Sequence, residues 1–124
     1  MPVTKILVVD DSRSARFFVK SCLPESNVEV HEAENGIEAI AQYEKIRPDL
    51  VFLDLTMPEM DGFATLPKLY EIDPSAKVVV LTADIQRKTI ERIERMGVVH
   101  FLKKPPKRET IAEALRVAFP NGPT

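Results

Sequence analysis

The groups in this chain that could do chemistry stand at the ends of apolar runs. Leu50-Val51-Phe52-Leu53 runs into Asp54, after which the chain turns through Pro58 and the pair Asp61-Gly62. Ile6-Leu7-Val8-Val9 runs into Asp10-Asp11, Val78-Val79-Val80-Leu81 into Thr82, and Val98-Val99-His100-Phe101-Leu102 into Lys103-Lys104. Three carboxylates brought together repel one another and raise each other's pKa unless a cation sits among them. A hard divalent ion that prefers oxygen ligands, keeps some water and accompanies phosphate suits such a set, and that ion is Mg²⁺. With that positive charge in place a phosphoryl group can approach Asp54. Thr82 can then donate to one of its oxygens, and Lys104 can balance its remaining charge. These are the parts for phosphoryl transfer to a carboxylate, a covalent chemistry open to aspartate. The plain alternative is loop polarity, but it needs the same coincidence at four separate runs.

The elements that must position these groups follow from periodicity. Continuous apolar runs of this length, ending in charge, read as strands of a parallel sheet buried on both faces. Val28-Glu29-Val30-His31-Glu32-Ala33 alternates instead, the pattern of a less buried strand at an edge. Between the strands lie helical patterns. Ser12 or Asp11 caps the first, which carries Ala15, Phe18, Val19 and Cys22 at helical spacing and stops at Pro24. Asn35 caps the second, with Glu38 placed to reach back and Ile37, Ile40 and Ala41 turned inward. The third, around Phe63 to Ile72, contains Pro67, which favours a distorted helix or one that starts late, at Thr65. The fourth, Ile85 to Met96, is heavily charged around Ile90 and Ile93, and the fifth carries Ile111, Ala114, Leu115 and Ala118 on one stripe. Five strands alternating with five helices predict an α/β fold, a doubly wound five-stranded parallel sheet with right-handed connections. In such a sheet all C-terminal strand ends share one edge, beside the crevice where ligands bind. The domain is expected over residues 1–120, with 121–124 a short tail.

Composition narrows the class. Lys and Arg number 17 against 19 Asp and Glu, a net charge of −2 with no basic run, which argues against a nucleic-acid or membrane-surface domain. The apolar runs are too short to span a bilayer, and Met-Pro-Val-Thr-Lys does not open a signal peptide. The single cysteine, Cys22, permits no intramolecular disulfide and suits a reducing compartment, so a cytoplasmic location is expected. With only four glycines there is no Walker loop and no dinucleotide fingerprint. His31 and His100 lie away from the C-terminal strand ends and read as structural. Cys22 reads as a core filler. A phosphoryl group can be accepted here, but no separate substrate pocket or acid-base histidine is evident.

Ile6 to Ser12 (ILVVDDS), Leu53 to Gly62 (LDLTMPEMDG), Thr82-Ala83 and Phe101 to Pro105 (FLKKP) together resemble the receiver domain of two-component response regulators. The blocks occur in order across essentially the whole chain, and the nearest type is the single-domain, chemotaxis-regulator-like receiver. The resemblance implies a flavodoxin-like (βα)5 fold with strand order 2-1-3-4-5. It implies that Asp54 is phosphorylated by a histidine kinase or phosphotransfer protein. It further implies that Asp11, Asp54 and the Thr56 backbone carbonyl ligate Mg²⁺ directly and Asp10 through water. Lys104 would contact the phosphoryl group, and Thr82 with the Ala83 amide would bind its oxygens. Lys103 falls to solvent and Asp61-Gly62 to a structural turn. Phe101 occupies the position of a switch aromatic. It is equally a core residue of an outer strand, and without a hydroxyl its coupling to Thr82 must be steric.

Such a protein would be a switch rather than an enzyme with an external substrate. Phosphorylation adds roughly −2 charge and three acceptor oxygens, drawing Thr82 and Lys104 inward. The face formed by the fourth helix, fifth strand and fifth helix would repack and shift a pre-existing equilibrium, changing affinity for a downstream protein. With no output domain in view the signal is expected to leave through protein contact, from a monomer or a weak phosphorylation-dependent dimer. The charged helix over Gln86 to Arg95 is the candidate contact face; a plainly solvated helix has the same look. A phosphate relay or sink on this fold is a second reading, in which Thr56 and Asp84 flank the site and tune the lifetime. A third, a phosphatase with an aspartyl-phosphate intermediate, would want an acid where Thr56 stands. A flavin-binding protein would want a phosphate loop where Asp11-Ser12-Arg13 stands.

Overall fold

The computed structural model describes residues 3–56 and 61–122. The loop positions Met57 to Met60, with the expected Pro58 turn, and the last two residues of the expected tail lie outside the described residues. The chain alternates strictly between strand and helix. β1 (Thr4–Val9), β2 (Val28–Ala33), β3 (Leu50–Asp54), β4 (Val78–Thr82) and β5 (His100–Lys103) are separated by α1 (Arg13–Ser21), α2 (Gly36–Ile46), α3 (Gly62–Ile72) and α4 (Arg87–Arg95), and α5 (Arg108–Ala118) follows β5. The strands form one parallel sheet in the order β2-β1-β3-β4-β5, as expected. β3 and β4 are buried at every residue, which is why their sequences run unbroken through apolar residues. The alternating β2 is an edge strand, half-buried along most of its length.

Side chains two apart share a face, so the sheet sorts its apolar residues into two cores. Leu7, Val9, Val51, Leu53, Val78 and Val80 pack with Ala39 and Tyr43 of α2, Leu66 and Leu69 of α3 and Ile93 of α4. Ile6, Val8, Leu50, Phe52, Val79 and Leu81 pack with Val19 of α1 and with Ile111, Ala114, Leu115 and Ala118 of α5. The stripe expected on α5 is therefore the buried one. On α2 the expected inward set holds only at Ile40, half-buried against the core: Ile37 is 58% exposed and Ala41 is exposed, while Gly36, Ala39 and Tyr43 are buried. Tyr43 decides the phase, since its ring enters the core while its hydroxyl donates to Asp73 at 2.9 Å. Among the inward residues expected for α1, only Val19 is fully buried, and Ala15, Phe18 and Cys22 are half-buried.

Helix starts follow cap chemistry. Ser12 Oγ accepts from the Ala15 amide and Asn35 Oδ1 from the Glu38 amide. Glu38 does reach back, but to the Glu34 amide rather than to that of Asn35. α3 does not start late: it begins at Gly62, with Asp61 Oδ1 accepting from the Ala64 amide at 2.9 Å, and carries Pro67 in its interior. That strong cap fixes the start despite the proline, whose position is exposed and which removes one hydrogen bond to Phe63. Asp61 is thus a helix cap as well as a turn residue. Asp61→Ala should cost about 1 kcal/mol, read as a lower denaturation midpoint at unchanged slope; an unchanged midpoint would rule out the cap's contribution.

Candidate functional site

Asp10, Asp54 and Lys104 share one strand parity, continuing the rows Ile6-Val8, Leu50-Phe52 and Leu102 toward α1 and α5. Their side chains consequently meet. Lys104 Nζ lies 3.0 Å from Asp10 Oδ2 and 3.2 Å from Asp54 Oδ2. Asp10 is held further by the Ser12 amide on Oδ1 at 2.9 Å, while Arg16 Nη1 donates to the Asp10 carbonyl at 2.6 Å. Asp54 is 1% exposed, and its Oδ1 accepts from the Thr56 amide at 3.1 Å. Its Oδ2 is buried and, although within ion-pair distance of Lys104, has no hydrogen bond among the described residues.

Asp11 stands exposed beside these two acids, and one oxygen from each of Asp10, Asp11 and Asp54 falls within 4.8 Å of the others. Burial pushes the Asp54 carboxyl up to about 6 from an ordinary 3.8. The Thr56 amide opposes this, the Asp10 charge adds to it, and Lys104 counters in part. Burial also works against the Lys104 ammonium, but its contacts with Asp10 and then Asp54 outweigh that and hold its pKa above the ordinary value. One lysine against three clustered carboxylates leaves excess negative charge around Asp54 Oδ2, which Lys104 faces at 3.2 Å. That donor set, all oxygen, fits a hard divalent cation. An open cleft of about 450 Å³ lined by Asp11, Asp54, Thr56, Ala83, Lys104 and Pro105 gives access.

Thr82 joins the same edge from the other face. Its row, Val78-Val80, packs against α2, α3 and α4, and its hydroxyl is spent on the β4–α4 loop. Thr82 Oγ1 donates to the Asp84 carbonyl at 3.2 Å and accepts from the Asp84 amide at 3.0 Å. Phe101, paired with Val80 across β4 and β5, is half-buried against the core beneath α4. Lys103 is exposed and outside the acidic cluster. Two further residues shape the site. Arg16 of α1 braces the Asp10 backbone and pairs with Glu32 of β2 at 2.8 Å, a helix-to-strand contact that no spacing rule signals. Asp84, expected from the sequence to flank the site, stands three residues before α4 and organises the loop after β4 by accepting from the Gln86 amide.

Residues 6–116 match the family model for the response regulator receiver domain. The chain is 41% identical over 115 residues to a chemotaxis protein CheY of Listeria monocytogenes, covering 92% of this chain and 97% of that protein. It is 31% identical over 116 residues to sporulation initiation phosphotransferase F of Bacillus subtilis, covering 94% of each. Among solved structures, a CheX–CheY–BeF3–Mg complex from Borrelia burgdorferi superposes with a TM-score of 0.88 at 27% identity, over 94% of this chain and 89% of that one. The family model over residues 6–116 and the identity across nearly the whole of a CheY protein show that the chain belongs to the response regulator receiver family.

Proposed function

We propose that Asp54 is the phosphoacceptor of a stand-alone receiver, charged by a histidine kinase or phosphotransfer protein and read by a protein partner. The observation that carries this reading is Asp54 Oδ2, a buried carboxylate oxygen without a hydrogen bond at the floor of an open cleft. In the transfer, this oxygen forms the new O–P bond while the bond from phosphorus to the donor's leaving nitrogen or oxygen breaks. Thr56 holds the other oxygen through its amide, which fixes the carboxylate's rotation. Lys104 faces Oδ2 and can follow the charge onto the phosphoryl group.

Asp11, Asp54 and the Thr56 carbonyl would hold Mg²⁺, with Asp10 acting through water. When bound, the ion supplies positive charge that offsets the carboxylates and the incoming phosphoryl oxygens. Thr82 and the Ala83 amide take up phosphoryl oxygens in the charged state. The β4–α4 loop and the core beneath α4, including Phe101, then repack, changing the α4-β5-α5 face. The protein acts as a phosphoacceptor that supports its own phosphorylation and dephosphorylation, as a cytoplasmic monomer or weak phosphorylation-dependent dimer, within a domain over residues 1–120. No described helix is long and apolar enough to cross a membrane.

The test is modification by acetyl phosphate with Mg²⁺, followed by mapping of the acyl phosphate by borohydride trapping and mass spectrometry. The label is expected on Asp54; a label on any other residue, or Mg²⁺-independent labelling, overturns the assignment. A relay role is favoured by the likeness to the sporulation phosphotransferase. Rapid onward transfer to a histidine, with no partner bound only in the charged state, would select it over a switch.

A further inference from the structure

Thr82 does not face Asp54 in this structure, and the residues holding it away form a connected set. Its hydroxyl both donates to the Asp84 carbonyl and accepts from the Asp84 amide. Asp84 is itself held by its carboxylate from two sides: Oδ1 accepts from the Gln86 amide at 2.9 Å, and Oδ2 from the Thr89 hydroxyl at 2.6 Å. Gln86 is the first flanking residue of α4 and contributes no side-chain cap of its own, while Thr89 lies in that helix's first turn. The carboxylate of Asp84 therefore ties the strand end carrying Thr82 to the helix that must move. The Thr89 hydroxyl and then the Gln86 amide hold the Asp84 carboxyl below the usual carboxylate range, so the tie is ionised at neutral pH.

We propose that Asp84 is a positioning residue for Thr82: its contact with Thr89 latches the β4–α4 loop so that the Thr82 hydroxyl is engaged away from the phosphoryl site. The latch biases the switch toward its uncharged form. This inference rests on Asp54 being the phosphoryl site. For Thr82 to serve a phosphoryl oxygen its hydroxyl must leave the Asp84 backbone. Any ligand that needs that arrangement binds with its affinity reduced by the fraction of molecules already unlatched. Removing the Thr89 hydroxyl deletes a hydrogen bond made only in the latched form, so the unlatched fraction rises.

The experiment is titration with beryllofluoride in the presence of Mg²⁺, followed by amide NMR of Thr82 and Ala83. Thr89→Val should tighten binding by about threefold to tenfold, the range expected for one charge-assisted hydrogen bond in a partly exposed loop. Asp84→Ala should tighten it similarly, and the double variant should add nothing further, because both remove the same contact. In a Thr82→Ala background, Thr89→Val should have no effect, since there is no hydroxyl to release. A purely structural cap would behave otherwise: loss of amide protection over residues 86–90 with unchanged or weaker binding, and that result overturns the latch. Failure of the wild type to bind beryllofluoride at all would instead overturn the phosphoryl assignment at Asp54.

Discussion

Asp54→Asn should abolish acyl-phosphate formation and, in metal-chelated buffer at pH 7, make the protein more stable than wild type by about 1–3 kcal/mol. The first effect follows from removing the nucleophilic oxygen. The second follows from what the fold spends to keep that oxygen ionised. Burial and the Asp10 charge raise the Asp54 pKa from 3.8 to about 6, so at pH 7 the ionised form is disfavoured in the folded chain relative to the unfolded one. A carboxyl whose folded pKa is raised destabilises the fold fully above that pKa, and the penalty fades as pH falls toward the unfolded value. The wild type should therefore gain on the variant between about pH 6 and pH 4, and the gap should close near pH 4. The full shift of about two pKa units sets the upper end of the range. Lys104 keeps Asp10 at 3.0 Å in the variant, so no lysine is stranded. Added Mg²⁺ should reverse the order, stabilising the wild type by mass action while leaving the variant nearly unmoved. Urea denaturation at three pH values, with and without Mg²⁺, reads all of this. A variant less stable than wild type without metal would contradict the electrostatic account.

The same acid explains why so much of the site was legible in the chain. An ionisable group at the end of a strand buried on both faces contradicts its surroundings, and a fold retains such conflicts where function needs them. β1, β3 and β4 were legible because burial on both faces fills their middles with apolar residues, and their shared direction carries Asp10, Asp54 and Thr82 to one edge. α2 was misphased because Ile37 is apolar by type but sits at the solvent end of the first turn. Tyr43, ambiguous by type, takes the core position through a hydrogen bond to Asp73, a residue 30 positions away. Pro67 suggested a late start for α3, but the capping energy of Asp61 outweighed one lost hydrogen bond. The orientation of Thr82 was beyond reach for a different reason. A hydroxyl's partner depends on a rotamer and on the loop after β4, and neither is encoded in periodicity.

Gly62→Ala should destabilise the protein by about 2–3 kcal/mol and weaken Mg²⁺-dependent phosphorylation, although alanine is the better helix former. Two effects of opposite sign compete. In the helix interior alanine gains up to about 1 kcal/mol over glycine, less at a first turn. Against that, a Cβ at Gly62 would lie 2.7 Å from the Asp54 carbonyl oxygen, 2.7 Å from Leu55 Cα and 2.8 Å from Leu55 Cδ2. Two of these are backbone atoms of the strand end, which cannot swing aside as a side-chain tip can. The backbone at Gly62 is ordinary helix, so this glycine is required by close approach rather than by a left-handed turn, although Asp61-Gly62 reads as turn punctuation. The amide of Gly62 donates to the Leu55 carbonyl at 3.1 Å, which pins the start of α3 onto the end of β3. To admit a methyl group, that junction must open by several tenths of an ångström, and the Asp54 carbonyl moves with it. The Thr56 amide that fixes Asp54 Oδ1 lies one residue beyond Leu55, so the carboxylate loses its orientation together with the packing. Stability and phosphorylation should consequently fall together in Gly62→Ala, whereas Asp61→Ala lowers stability with the acceptor's own contacts intact. A Gly62→Ala variant with raised stability would mean that helix propensity outweighs the clash.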